Sequence, residues 1–437
     1  MINPSNSKFR ILNAAIAAAI AIGPLAACQP LTDPSSDIES PTPEPISGLK
    51  IGVILPYTGN LAELGQSMIR VLPMIIDQAN ACGGVNGESI SLVVEDDQSQ
   101  PGVAATVMTK LIESDQVSAA VVGFVDPTVP MVLDIAVQNK VPVISPGSTS
   151  SVFTDKAKEG VFQGFWARTV PSDTNQAIAL AQLAFERRIR RAATVVMNND
   201  DGLSFEDAFI TAFEERGGVV VNKESPTRYE SDAENLYTAA VDAFAPYGNG
   251  PTAVVAALDQ RGGVLLLKTA YEIGVSDGVQ LLIADTIQPR SFLQSVGRTY
   301  DGRFILSGAT GTIPGASGPA LDNLTERWKN RDGKTPPVFV PQTWDAVALL
   351  ILAAQAANST NGAAIKEHLS SVANAPGIEV TNVCTGLKLL KEGQDIDYQG
   401  ASSNVDLDEN GDVIGNYDIW TVKETGEVEV VRQIKLD

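Results

Sequence analysis

From Lys50 to Ala284, short apolar runs alternate with stretches of helical spacing, and this alternation narrows the possible folds more than any other feature. The run Ile51-Gly52-Val53-Ile54-Leu55, entered at Lys50 and stopped by Pro56, reads as a strand buried on both faces, as in a parallel sheet. Gly65 to Ala79 has helical spacing despite Pro73, and the glycines of Asn80 to Gly87 mark a turn. Ser91–Val94, Ala119–Gly123 and Val141–Ile144 come next as strands, separated by helices over Val103–Ser114 and Val129–Asn139. The pattern then restarts. Helices are expected over Ala177–Arg187, Asp207–Arg216, Ala233–Phe244 and Gly263–Ile273, and strands over Ala193–Met197, Val219–Val221, Ala253–Ala257 and Gln280–Ala284. Such spacing predicts an α/β protein with two doubly wound parallel-sheet lobes. Helices over Pro319–Asn330 and Thr343–Ala357 come later, and the tail from Val405 alternates like paired strands. About 390 residues remain after the N-terminal region, long for one core and suited to two.

The N-terminus is of a different kind. Lys8 and Arg10 precede an apolar stretch, Ala14 to Ile22, and then Gly23-Pro24-Leu25-Ala26-Ala27-Cys28. A basic start, a short apolar segment and small residues before a cut site make an export signal over residues 1–27. The apolar stretch falls short of the roughly 20 residues that span a bilayer. Leu25-Ala26-Ala27-Cys28 resembles a bacterial lipobox, which implies cleavage before Cys28 and lipid on its sulfur. A retained short anchor and a plain secretory signal are the alternatives. Residues 29–48, rich in Pro, Ser and Thr, read as a solvated tether. The protein is thus expected to be exported and held at a membrane by lipid, in the periplasm or on the cell surface.

A net charge of −21 argues against nucleic acid, which calls for a basic footprint, and against docking to anionic lipid heads by charge. The single histidine, His368, sits on an expected helix; with no close cysteine pair, common zinc sites are poorly supported, and no metal or other cofactor is expected. Nucleophile pairs of the Ser-His or Cys-His type would all have to use that one residue, so no catalytic residue is proposed. Besides Cys28, the chain has Cys82 and Cys384; in an exported protein they favour a disulfide, with two separate buried thiols as the alternative. Asp406-Leu407-Asp408-Glu409-Asn410-Gly411-Asp412 mimics the start of a calcium loop, but its twelfth position is Tyr417 where a bidentate Glu is required; it reads as an acidic hairpin turn.

Ligands of open parallel sheets bind beyond the carboxyl ends of the strands, at a switch in strand order. Those ends here are Tyr57-Thr58-Gly59, Phe124-Val125-Asp126, Gly147-Ser148-Thr149-Ser150, Asn199-Asp200-Asp201-Gly202, Asp259-Gln260-Arg261 and Asp285-Thr286. Most are small, hydroxylated or acidic, suited to an ammonium, a carboxylate or a hydroxyl, and none carries a glycine-rich phosphate fingerprint. Plainer roles stand beside these. Asp126-Pro127 makes a good helix start, Asp200-Asp201-Gly202 is as often a turn as a site, and Asp285 is placed to cap the segment after it.

Ile51-Gly52-Val53-Ile54-Leu55-Pro56-Tyr57-Thr58-Gly59 resembles the opening of the leucine/isoleucine/valine-type solute-binding proteins of ABC transporters. Asn80 to Gly87, Val94 to Ser99, Val141 to Ser150, Arg168 to Asp173 and Gln342-Thr343-Trp344-Asp345-Ala346-Val347 continue the resemblance in order. The resemblance implies the type I periplasmic binding protein fold: two lobes joined by a three-stranded hinge and closing on the ligand. It suggests residues 49–168 plus 309–395 for the first lobe and 169–308 plus 396–437 for the second. Carried over by position, the family's ligand contacts fall on Asp126, Gly147 and Thr149, with Ser148 on the last of these loops and Tyr57 at the end of the first strand, and near Asp201, Asp259 and Asp285 in the second lobe. The aromatic often found ahead of the first helix's glycine falls on Leu64. Asp126 stands where the family has a small hydroxyl residue and would repel a ligand carboxylate, while an acid near Asp285 suits an ammonium. The implied role is capture of an amino acid or a related small polar solute, such as an amide-like one, for delivery to a membrane permease. A ligand-sensing module for a receptor partner is the alternative, and an envelope hydrolase ranks last because no nucleophile-base pair is apparent.

Overall fold

The computed structural model describes residues 48–124, 129–245, 250–284 and 289–436. Cys28 with its signal and tether, Asp126 and Asp285 lie outside the described residues.

The first sheet forms from strands β1 (Lys50–Leu55), β2 (Ser91–Asp96), β3 (Ala119–Val122), β4 (Val143–Ser145) and β5 (Trp166–Arg168). Between them run helices α1 (Ala62–Ala81), α2 (Pro101–Glu113), α3 (Val129–Gln138) and α4 (Ser151–Lys158). All five strands are parallel, in the order β2-β1-β3-β4-β5, so the order reverses between β1 and β3. Because helices cover both faces, β1, β3 and β4 are buried almost throughout, which is why they read as continuous apolar runs.

The chain then enters the second sheet. It passes through α5 (Asp173–Glu186), β6 (Arg191–Met197), α6 (Asp200–Glu215), β7 (Val219–Val220), β8 (Thr227–Tyr229), α7 (Tyr237–Phe244), β9 (Ala253–Ala257), α8 (Gln260–Glu272), β10 (Gln280–Ile283), α9 (Pro289–Val296) and β11 (Thr310–Pro314). It returns to the first core for α10 (Leu321–Asp332), α11 (Val340–Ala356), α12 (Gly362–Ala373), β12 (Ile378–Val380), α13 (Val383–Lys391) and β13 (Ile396–Tyr398). Finally β14 (Asn416–Val422) and β15 (Val428–Lys435) add as an antiparallel pair to the second sheet, whose order is β15-β14-β11-β10-β9-β6-β7 with β8 also on β6. Its order reverses between β9 and β6.

Two boundaries differ from the sequence expectation. β11 pairs with β10 and so belongs to the second sheet, because the open edge of β10 takes it in and Gly311 leaves room for the Trp420 ring; a Cβ there would lie 2.2 Å from that ring. Conversely, Tyr398, Ala401, Val405, Leu407 and Val413 pack in the first core. The pull comes from Asp345, a wholly buried carboxylate on α11. It accepts from the Tyr398 hydroxyl at 3.1 Å, the Ala401 and Ser402 amides at 2.8 and 2.7 Å, and the Ser402 hydroxyl at 2.6 Å. The motif Gln342-Thr343-Trp344-Asp345 thus fastens the third crossing to the first lobe. α11 itself is buried from Val340 to Gln355, as suits a helix apolar on all sides.

Several helices also begin earlier than periodicity alone suggests, three of them at a side-chain cap. Ser172 caps α5, Asn199 caps α6 and Asp259 caps α8, each side chain accepting from an amide of the first turn. The acidic segment at 406–412 is a turn built on Asp408, whose carboxylate accepts from the Asn410 and Asp412 amides at 2.8 and 2.9 Å; it precedes β14 and does not join two strands. No group of three or more His, Cys, Asp or Glu side chains among the described residues is placed to hold a metal ion. His368 sits on α12 with its Nδ1 2.9 Å from the Ala364 carbonyl.

Cys82, at the end of α1, and Cys384, in the first turn of α13, are bonded, with Cα atoms 5.5 Å apart and a sequence separation of 302. Closing so long a loop removes much unfolded-state freedom. Replacing both cysteines by serine is expected to cost about 2–5 kcal/mol, measured as the change in unfolding free energy in guanidinium chloride.

Candidate functional site

The site is built around a buried arginine. Arg168, the last residue of β5, is wholly buried. Its Nη1 donates to the carbonyls of Ser148 at 3.2 Å and Ser150 at 2.9 Å, its Nη2 to the Thr154 hydroxyl at 2.8 Å, and its Nε to Asp412 at 2.7 Å. The other Asp412 oxygen accepts from Thr154 at 2.5 Å. One guanidinium thereby fixes the loop after β4, the first turn of α4 and the third crossing together, a task suited to its rigid fork of donors.

That loop, Gly147-Ser148-Thr149-Ser150, divides its labour. Ser145 and Ser148 both donate to the Gly123 carbonyl, at 2.8 and 3.1 Å, and Ser145 accepts from the Ser148 amide at 3.0 Å. Ser148 is wholly buried, and its hydroxyl, spent on the Gly123 carbonyl, shapes the loop. Gly147 is required where it stands: a Cβ would lie 2.4 Å from the Phe124 ring. Thr149 is half-buried, and its carbonyl accepts from the Asp173 amide at 2.8 Å. Ser150 caps α4 by accepting from the Val152 amide at 3.2 Å, and its hydroxyl donates to the Asp201 carboxylate. This bond joins the strand ends of the two sheets.

Asp173, at the start of α5, is buried, and its Oδ1 has no hydrogen-bond partner among the described residues. Burial first and the negative charge of Asp201 second push its carboxyl up to about 6, against the pull of the Thr149 hydroxyl and Arg168. Asp201, in the first turn of α6, is also shifted upward, by burial and by neighbouring Asp200, with the Ser150 bond opposing. Two acids brought to one place, Asp173 buried and Asp201 partly buried, with the nearby guanidinium already committed, can take up positive charge or hydrogen-bond donors.

The remaining positions behave differently. Asp96 accepts from the amides of Tyr57 and Thr58 at 3.1 and 3.3 Å and from the Thr58 hydroxyl at 2.5 Å, which holds the tip after β1 in place. Burial works against its charge, yet these bonds and one from the Gln98 amide keep the carboxyl below its ordinary value. Tyr57 is half-buried on that tip. Leu64 packs against the first core. The next residue, Gly65, lies so close to Pro56 that a Cβ would fall 2.1 Å from its carbonyl oxygen. Asp259 is occupied: Oδ2 accepts from the amides of Arg261 and Gly262, both at 3.0 Å, and from Ser231 at 2.9 Å, while Oδ1 accepts from the Tyr229 hydroxyl at 2.8 Å. Its place is that of a helix cap, a role that its sequence context alone does not reveal.

The structure therefore brings Thr149, Ser150 and Asp201 together with two residues singled out in sequence only as part of a motif, Arg168 and Asp173. The signal for Asp173 is present in Pro171-Ser172-Asp173, a helix cap followed by an acid in the first turn. Nothing in the sequence marks Arg168 as buried.

Residues 48–397 match the family model described as periplasmic binding protein. The chain belongs to that family. Its fold is the type I periplasmic binding protein fold, and family members are solute-binding proteins that act outside the cytoplasm. It is 25% identical to the chemotactic signal transduction system substrate-binding protein BasB of Halobacterium salinarum over 86% of this chain and 87% of that one. An amino acid binding protein of Pseudomonas aeruginosa is 28% identical over 44% of this chain and 50% of its own. Among solved structures, leucine binding protein LivK of Thermotoga maritima superposes with a TM-score of 0.67 at 24% identity, covering 89% of this chain and 99% of that one. The substrate binding protein LivJ of Streptococcus pneumoniae, solved with isoleucine, does so with a TM-score of 0.66 at 18% identity, covering 89% and 100%.

Replacing Arg168 by Met leaves Asp412 and two loop carbonyls without their donor. It is expected to destabilise the protein by about 3–5 kcal/mol, read from chemical unfolding. Arg168→Lys is expected to recover only part of this, because an ammonium cannot serve four acceptors spread over three segments.

Proposed function

We propose that the protein is an extracytoplasmic solute-binding lipoprotein of an ABC importer, held to the membrane through Cys28, which closes its lobes on an amino acid or related small polar solute. The observation that carries this reading is the meeting of the two strand-end loops through Ser150 and Asp201, beside the buried Asp173 with its free oxygen. Solute closure between two lobes is a hinge mechanism of long standing in such folds. The acids favour a solute that presents an ammonium or an amide. We assign a second polar group of the solute to Thr149, half-buried on the same loop. Asp126 and Asp285, at neighbouring strand ends by sequence, add to the acidic character. The family match, over residues 48–397, supports solute capture.

A second reading rests on the match to BasB along nearly the whole chain: occupancy of the cleft is passed to a chemotaxis receptor in place of a permease. Deleting the gene separates the two, since loss of solute uptake marks the importer and loss of swimming bias with uptake intact marks the sensor.

The solute class is tested by a thermal-shift screen of the full chain, unfolded and refolded to remove carried-over ligand. Amino acids, amides, urea, polyols and aromatic acids make up the panel. A ligand at about a hundred times its dissociation constant stabilises the fold by about 2.7 kcal/mol. Stabilisation is expected from compounds with an ammonium or amide and not from aromatic acids that lack one. A response confined to such acids would refute the assignment of Asp173 and Asp201 to the solute.

A further inference from the structure

Asp173 and Asp201 stand on different helices, and the loop after β4 brings them to one place. Thr149 accepts from the Asp173 amide through its carbonyl, and the next residue, Ser150, donates to Asp201. α5 and α6 pack side by side, so both carboxylates sit where the second lobe meets that loop. Asp173 is 6% exposed and keeps one oxygen unbonded. The charges acting on the pair are few. Asp200 precedes Asp201 on α6, and Arg168 approaches from β5, already matched by Asp412 of the third crossing. The lysines of α4, Lys156 and Lys158, lie in its last turn, away from Ser150, and Arg187 sits at the far end of α5. From β14, Tyr417 donates to the Ser172 carbonyl, a neutral contact. The guanidinium of Arg168 is thus spent on Asp412, and of the two acids beside the loop Asp173 is buried and Asp201 partly buried.

Like charges so placed do not both ionise at low cost; a pair of this kind keeps one proton and titrates as a unit. We propose that Asp173 and Asp201 hold a single proton between them in the ligand-free cleft, and that the cationic group of the solute takes its place, so that capture releases one proton. This rests on the solute reading above and extends it to a class, cations in preference to neutral analogues. Charge balances: the pair with its proton carries −1, and the doubly ionised pair with a bound monocation also carries −1, the proton passing to solvent. Burial alone already disfavours the charge on Asp173, and Asp201 adds to it, so removing Asp201 weakens the hold on the proton without abolishing it.

The first test needs no ligand. The full chain, Asp173→Asn and Asp201→Asn are melted between about pH 5 and 8. A carboxyl raised in the folded state contributes stability that is complete below its unfolded value and is lost as pH rises through about 6. The wild type is therefore expected to lose about 2 °C more in Tm across that range than either variant. Coincident profiles for the wild type and both variants would overturn the shared proton. The second test is calorimetry at pH 6.5 in two buffers of different ionisation heat, with L-lysine, L-arginine, putrescine and L-leucine as probes. A cationic probe is expected to release more than half a proton on binding the wild type and clearly less on binding Asp201→Asn. Binding of such a probe with no proton released overturns the exchange. If the pH profiles differ but only neutral or anionic compounds bind, the ammonium reading of the site fails while the shared proton stands.

Discussion

A guanidinium removed from water must find acceptors for its donors and a countercharge, and Arg168 obtains these from three separate stretches of chain. The requirement is mutual. The carbonyls of Ser148 and Ser150 have a partner only because β5 ends where it does, and Asp412 is drawn in from a segment more than two hundred residues away in sequence. Once this set is made, Thr149 and Ser150 have fixed directions, and through them so do the two acids they touch. Much of the site's geometry follows from one buried charge being fully matched.

The sheets supply the second constraint. Each reverses its strand order once, between β1 and β3 in the first and between β9 and β6 in the second. Loops leaving adjacent strands on opposite sides of such a reversal part from each other, and the crevice they leave receives a ligand. Tyr57 and Phe124 flank the first reversal, and Asn199 and Asp259 the second. The positions of the loops are thus set by topology, and the choice of side chains decides which do structural work and which stay free.

The sequence reads well where burial leaves a periodic trace. The strands of both sheets, most of the helices and the two-lobed plan are visible in the alternation of apolar runs and helical stretches, because parallel strands covered on both faces are continuously apolar. It reads less well where one residue serves a cap, a loop or a site alike. Asp201 and Asp259 look the same in sequence: an acid after a strand, ahead of a glycine. Asp259 spends its oxygens on amides and hydroxyls, while Asp201 reaches Ser150 of the other lobe. Ser148 and Ser150, two residues apart, differ in the same way. By position β11 falls in the wrong lobe, because its membership depends on an open edge of β10, a fact of pairing and not of composition. The weight of Arg168 and Asp345 is hidden because charged residues inside a core are recognised by their partners, which lie far off in sequence.

The three crossings between the lobes are not equally attached at their two ends. On the first-lobe side, Arg168 binds Gly411 and Asp412, Asp345 binds Ala401 and Ser402, and the amides of Ser317, Gly318 and Ala320 bind carbonyls from Ser402, Ala401 and Gly400. The crossings are therefore laced to one another and to α11 before they diverge. Beyond this lacing the stretches around Val170 to Ser172, Gly315 to Ala316 and Val413 to Gly415 carry the chain toward the second sheet, where Tyr417 donates to the Ser172 carbonyl and the Gly315 amide to the Asn416 carbonyl. A load placed on any one crossing is therefore shared with the other two and with α11.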